Sequence, residues 1–172
     1  MTTIEQAAPV SGGRLIHELL QDALGSVRRH LGLEIAFISE FSAGRRFFRY
    51  VDAASADCPV RVGDSDPLEQ SYCQRIVDGR LPGLMNDARQ NAEALTLPVT
   101  TQLPVGAHLS VPILLGQELF GTFCCFSRES DASLDERHLS MLRLYADFVG
   151  RLLERTVNDQ RQALERQEQV RR

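Results

Sequence analysis

The stretch from Gly106 to Ser127, GAHLSVPILLGQELFGTFCCFS, constrains the fold more than any other part of this chain. Two runs rich in β-branched and aromatic residues, Ala107 to Leu115 and Leu119 to Phe126, flank Gly116-Gln117, a Gly-X pair suited to a two-residue hairpin turn. Both runs are apolar at nearly every position. Strands of that kind are covered on both faces, so the hairpin belongs inside a sheet with helices on one side and other structure on the opposite side. Pro112 has no N–H to give a ladder and is expected at a bulge or where its nitrogen meets no neighbour.

The remaining segments supply the layers around that hairpin. Apolar residues at three- and four-residue steps from Leu15 to Leu31 predict an amphipathic helix closed by Gly32. Leu33 to Phe41 and Phe47 to Ala53 read as a second pair of strands joined by Ser42 to Arg45, followed by a polar loop from Ser55 to Ser65. Asp66-Pro67-Leu68-Glu69 combines an N-cap acid, a proline at the first helical position and a Glu three residues after the cap. It predicts a helix through Tyr72, Cys73, Ile76 and Val77 that ends at Gly79, with Cys73 about seven residues inside. Leu84-Met85 reads as a short strand, and Asn86 to Val105 as an irregular segment with one short helical piece. Ser133 to Glu136 repeats the capping-box pattern and opens the longest helix, whose buried face is Leu139, Leu142, Tyr145, Val149, Leu152 and Leu153. Past Val157 that helix turns polar. The order predicts an α+β fold, an antiparallel sheet flanked by helices.

At 172 residues the chain suits one domain with a helical extension: residues 1–10 as a flexible start, 11–155 as the domain and 156–172 as a helical linker. No Gly or Pro stops the helix before Arg172, which points to a helix continuing into an output domain, while basic residues at a helix C-terminus also suit a natural end. A net charge of −4 gives no electrostatic case for nucleic acid or an anionic membrane. The first ten residues lack a signal-peptide pattern and no run reaches the ~20 apolar residues of a membrane span, so the expected location is the cytoplasm. There the four cysteines are expected as free thiols, and without CxxC spacing they make no structural zinc site.

Three segments, SYCQRIVDGRLPGLMNDAR (71–89), LPVGAHLSVPI (103–113) and LFGTFCCFS (119–127), together resemble a GAF domain, the small-molecule sensing module of bacterial signalling proteins. The resemblance extends over residues 15–153, and its wording is similar to GAF domains that precede EAL or GGDEF modules of cyclic-di-GMP signalling. It implies a non-enzymatic sensory domain that relays ligand or redox state through the C-terminal helix and a homodimer built from the N- and C-terminal helices. Covalent bilin binding is not expected, because residues 87–104 hold no Cys and Cys73 is followed by Gln74. The cyclic-nucleotide signature is incomplete: Asn86 precedes Asp87, and Asp131 stands where a Phe belongs ahead of Asp135-Glu136. The ligand stays unidentified.

The candidate ligand-binding residues are Cys73, Asp87, His108, Ser110, Phe123 and Cys125. His108 and Ser110 put polar groups on one face of an apolar strand, where they either line a wet pocket or meet one buried partner. Asp87 is either a ligand contact or the cap of the next helical turn. Cys124 and Cys125 are adjacent on a strand and therefore face apart. Cys73, seven residues into its helix, reads as core more readily than as a reactive thiol, which needs a helix N-terminus or a nearby cation. Arg45-Arg46 reads as a solvated strand end. Two alternatives remain beside the sensory reading. One is a ligand-free dimerisation scaffold, with the site filled by Phe37, Tyr72 and Phe123. The other is a thiol redox sensor or a methionine-sulfoxide-reductase-like enzyme, which requires two cysteines within disulfide reach.

Overall fold

The computed structural model describes residues 11–171, so the flexible start expected over residues 1–10 lies outside the described residues. The elements run α1 (Ser11–Leu31), β1 (Ile35–Ser42), β2 (Arg45–Ala53), β3 (Ser65–Pro67), α2 (Tyr72–Val77) and β4 (Leu84–Met85). Then follow α3 (Ala92–Leu95), α4 (Pro98–Gln102), β5 (His108–Leu115), β6 (Glu118–Phe126) and α5 (Glu136–Val170). Short 3-10 turns at Leu68–Gln70 and Ala88–Gln90 precede α2 and α3.

All six strands form one antiparallel sheet in the order β3-β2-β1-β6-β5-β4, so the α+β reading holds. The β5–β6 hairpin turns through Gly116-Gln117, and β6 lies at the centre beside β1. Beyond β5 stands only the two-residue β4, paired at Leu84↔Leu109 and Met85↔His108. Pro112 sits past the end of β4, where its missing N–H deprives no neighbour. The β1–β2 turn places Ala43 and Gly44 at φ 51° and 72°, the left-handed pair a two-residue hairpin requires.

Strand alternation splits the interior into two layers. Ala36 and Ile38 of β1, Leu109, Val111 and Ile113 of β5, and Phe123 and Cys125 of β6 pack with Leu20 and Leu24 of α1 and Leu142 and Val149 of α5. Each such fully buried Leu, Ile or Phe contributes about 1.5–3 kcal/mol of transfer free energy. The opposite face, Ile35, Phe37, Phe48, Cys124 and Phe126, is covered by Tyr72 and Cys73 of α2 and by Leu97 and Val105. Two close approaches fix this arrangement. A Cβ on Gly121 would stand 1.8 Å from the Ser39 carbonyl oxygen, and one on Gly150 would stand 2.4 Å from that of Leu114. The first glycine lets β6 lie flat against β1, and the second lets α5 rest on β5.

Three local readings are corrected. Asp66 caps no helix: Ser65–Pro67 pairs with Arg45–Phe47 as β3, and Asp66 binds Arg46. Ser71 caps α2 instead, accepting from the Gln74 N–H at 3.2 Å, so Cys73 is the second residue of its helix. Residues 86–105 hold two short helices and a 3-10 turn in place of one helical piece, with Asn91 capping α3 and Pro98 opening α4. At α5 the cap is Asp135, whose N–H is accepted by His138 Nδ1 at 3.0 Å, while Ser133 bonds to Asp131. The buried face of α5 includes Leu139, Leu142, Ala146, Val149 and Leu153, with Tyr145 and Leu152 at its margin. Among the described residues no helix is long and apolar enough to cross a membrane.

Candidate functional site

The sheet face opposite α1 and α5 concentrates the polar chemistry of the chain. Ser39 of β1, Arg46 of β2, His108 and Ser110 of β5, and Thr122 and Cys124 of β6 are all buried, and α2 lowers the fully buried Cys73 onto them. Alternation in four neighbouring strands produces this grouping, since each strand sends its buried polar residues to the face opposite α1 and α5, under the cover of α2.

Hydrogen bonds join the members into one network around Cys73 Sγ. It receives an Arg46 guanidinium N–H at 3.1 Å and the Thr122 hydroxyl at 3.0 Å, and it lies 3.4 Å from Cys124 Sγ. Ser110 Oγ sits 2.8 Å from Cys124 Sγ, and Ser39 Oγ 2.8 Å from Thr122 Oγ1. Arg46 is held from the other side by Asp66, with its Nε donating at 2.9 Å, and stacks over Phe48 and Phe37 at 4.7 and 5.4 Å.

The two thiols are driven apart in acidity. Burial opposes ionisation of Cys73, but the Cys124 S–H, the Arg46 charge and the Thr122 hydroxyl outweigh it and pull the thiol below its ordinary range. Burial, reinforced by the negative character of Cys73, pushes Cys124 well up. His108 stacks edge-on to Tyr72 with ring centroids 4.8 Å apart and lies tilted against Phe126. Burial and then the Arg46 charge hold its pKa down to about 3, so the ring is neutral. Its Nδ1 is buried without a hydrogen-bond partner among the described residues.

Of the residues singled out in the sequence, Cys73, His108 and Ser110 meet on this face. Phe123 and Cys125 do not: they lie in the layer under α1 and α5, as alternation with Cys124 requires. Asp87 makes local bonds, accepting from the Arg89 N–H at 3.1 Å and pairing with the Arg89 side chain at 2.8 Å, as a cap of the 3-10 turn. Asn86 is likewise structural, its side-chain amide donating to the Asp131 and Leu134 carbonyls at 2.7 and 2.9 Å. Phe37 and Tyr72 do fill this face, and Phe123 lies behind it.

Arg46 is the main residue the sequence reading misses. Adjacent strand residues face apart, so in a sheet covered on both sides only one of Arg45 and Arg46 can be solvated; Arg45 is exposed and the Arg46 side chain is 11% exposed. The environment of Cys73 also changes: it has both a helix N-terminus and a cation beside it.

The GAF-domain family model matches residues 14–154, and the chain belongs to that family. No functionally curated protein matches the sequence. Among solved structures, the chain is similar to the blue-light-absorbing form of the Thermosynechococcus elongatus PixJ GAF domain, with TM-score 0.70, 14% identity, and 92% of this chain and 96% of that one covered. It is similar to the phycocyanobilin-bound GAF domain of a cyanobacterial phytochrome, with TM-score 0.68, 13% identity and coverage of 84% and 87%. The GAF domain of an Acinetobacter phosphoenolpyruvate-protein phosphotransferase matches with TM-score 0.67, 12% identity and coverage of 85% and 86%. At these identities the likeness is one of fold. The GAF domain is a sensory and regulatory fold common in signalling proteins.

Proposed function

We propose that this chain is a small-molecule-sensing domain of a bacterial signal-transduction protein, in which the cluster around Cys73, Arg46 and Cys124 receives the stimulus and α5 delivers it. Alternation in β5 and β6 carries the reading: Ser110 and Cys124 belong to the cluster, while Leu109, Val111 and Cys125 beside them pack in the layer under α1 and α5. A change at the cluster therefore moves strands on which α5 rests. A stimulus shifts α5 to the extent that it favours one packing over another.

Entry is through the cover of α2, α3 and α4, which the Tyr72–Thr100 hydrogen bond and the Arg75–Glu93 ion pair hold shut. The unpartnered Nδ1 of His108 offers the incoming molecule a polar contact. The output is proposed as cyclic-di-GMP turnover by a separate EAL or GGDEF module, on the sequence resemblance, with residues 156–170 as the connecting helix. The domain itself is read as non-catalytic and cytoplasmic. Leu15 and Leu19 on α1, with Leu144 and Phe148 on α5, are exposed apolar side chains on two adjoining helices, and they support a homodimer through those helices.

The packing of Phe37 and Tyr72 over the same face favours one competing reading, a ligand-free scaffold. A thermal-shift screen with nucleotides, amino acids and organic acids separates the two. The sensory reading expects a compound that raises the melting temperature of the wild type and not of Arg46→Ala. A library without effect on either supports the scaffold.

A further inference from the structure

We propose that Cys73 and Cys124 are a redox couple that closes to an intrachain disulfide when a peroxide reaches them. The inference names the stimulus class of the site described above and rests on that reading only for its effect on α5; the thiol chemistry stands by itself.

The geometry is that of a reduced pair ready to close. The two Sγ atoms are 3.4 Å apart on facing elements, α2 and β6, and a disulfide needs them to move to about 2.05 Å. Neither of the other thiols is so placed: Cys125 lies in the layer under α1 and α5, and the Cys58 thiol donates to the Val60 carbonyl at 3.1 Å. The pair is also asymmetric. The Cys124 S–H, Arg46 and the Thr122 hydroxyl favour Cys73 as thiolate, while Cys124 is kept as a thiol. This is the division of labour between an attacking and a resolving cysteine.

The chemistry follows from those roles. The Cys73 thiolate attacks one oxygen of the peroxide; the O–O bond breaks, Cys73 becomes a sulfenic acid, and the departing alkoxide or hydroxide takes up a proton. Cys124 then gives up its proton and attacks the sulfenic sulfur. The S–S bond forms as the S–O bond breaks, and the hydroxide leaves with that proton as water. Two thiols supply two electrons, and the peroxide is reduced to an alcohol and water, or to two waters if it is hydrogen peroxide.

Both sulfurs are fully buried, so the rate follows local opening of the six-residue α2 and the Arg46–Asp66 pair beside it. Closure would draw α2 toward β6, release the Thr122 and Ser110 hydroxyls from the sulfurs, and leave Arg46 facing a neutral disulfide in place of a thiolate. Those changes fall on β5 and β6, the strands that also carry the layer under α5.

The test uses the reduced full chain treated with hydrogen peroxide at neutral pH, then alkylated under denaturing conditions and mapped without reductant. The proposal expects two of the four thiols to disappear, the mass to fall by about 2 Da, and one Cys73–Cys124 linked peptide from a single chain. In Cys124→Ala it expects a dimedone-reactive sulfenic acid at Cys73, the half-reaction without its resolver. Four intact thiols in the wild type, or a link to Cys58, to Cys125 or between chains, would overturn it, and this measurement needs no variant to fold. Hydrogen exchange along residues 136–170 keeps the two readings apart. A Cys73–Cys124 disulfide with unchanged α5 exchange upholds the redox couple and removes the relay; inert thiols with a bound metabolite do the reverse.

Discussion

His108 makes the stability of the domain depend on pH in a way that can be worked from its surroundings. The ring is fully buried between Tyr72 and Phe126, and Arg46 is the charged group that bears on it, so its pKa falls from 6.5 to about 3. A depressed histidine pKa means that the unfolded chain binds a proton that the folded chain refuses. Above about pH 6.5 the effect is absent, and stability is lost progressively as pH falls from about 6.5 toward about 3. At about pH 5 the difference amounts to about 1.5 pH units, or about 2 kcal/mol. For a domain of this size that is about 4–8 °C in melting temperature. The assay is urea denaturation of the wild type and His108→Phe near pH 8 and pH 5. Other titrating groups contribute to both proteins, so the drop between the two pH values should be about 2 kcal/mol smaller in the variant. Equal drops would mean that His108 takes a proton in the folded state as readily as in the unfolded chain, and the reasoning would fail.

Four further outcomes follow from particular contacts. Gly121→Ala drives a Cβ to 1.8 Å from the Ser39 carbonyl in the middle of the sheet; it should lower stability by about 3 kcal/mol or more in urea denaturation, and an unchanged midpoint would contradict the packing of β6 on β1. Ser71→Ala removes the cap of α2 and should cost about 1 kcal/mol, with faster amide exchange at Gln74; equal exchange would restore Asp66 as the start of that helix. Arg46→Met takes away the cation beside Cys73, so iodoacetamide labelling of Cys73 should require a higher pH than in the wild type, and superimposable profiles would refute its role. Leu144→Arg with Phe148→Arg should halve the mass seen by light scattering if α1 and α5 form the dimer, whereas a wild type already at the mass of one chain would remove that interface.

Where the sequence and the structure agree, the signal was local and had no rival. The hairpin around Gly116-Gln117, the helix ending at Gly32 and the short strand Leu84-Met85 each depend on residues within a few positions of one another. The misreadings share one cause: a side chain with a good local role was taken by a distant partner. Asp66 had every mark of an N-cap, but a bidentate bond to Arg46 from β2 claimed its carboxylate and left the cap to Ser71. That shift of start moved Cys73 from the interior of a helix to its first turn, and with it the character of the site. Arg46 was hidden for a related reason, because its partners Asp66 and Cys73 lie 20 and 27 residues away. The short helices of residues 86–105 were marked by Asn91 and Pro98, and the absence of apolar periodicity masked them. Phe123 and Cys125 fall on the opposite face from His108 and Ser110 because of a bulge: an unbroken count from the Gly116-Gln117 turn pairs Ser110 with Phe123 and His108 with Cys125, and the register shift between Ile113 and Leu114 makes the pairs Ser110↔Cys124 and His108↔Phe126.

The central claim is that the buried face around Cys73 and Arg46 receives a small molecule, and native mass spectrometry of the protein as purified from cells tests it most directly. The account predicts a retained mass on the wild-type chain that is lost from Arg46→Ala. The same adduct on both proteins would contradict it, as would a bare chain mass in both together with thiols that hydrogen peroxide leaves intact.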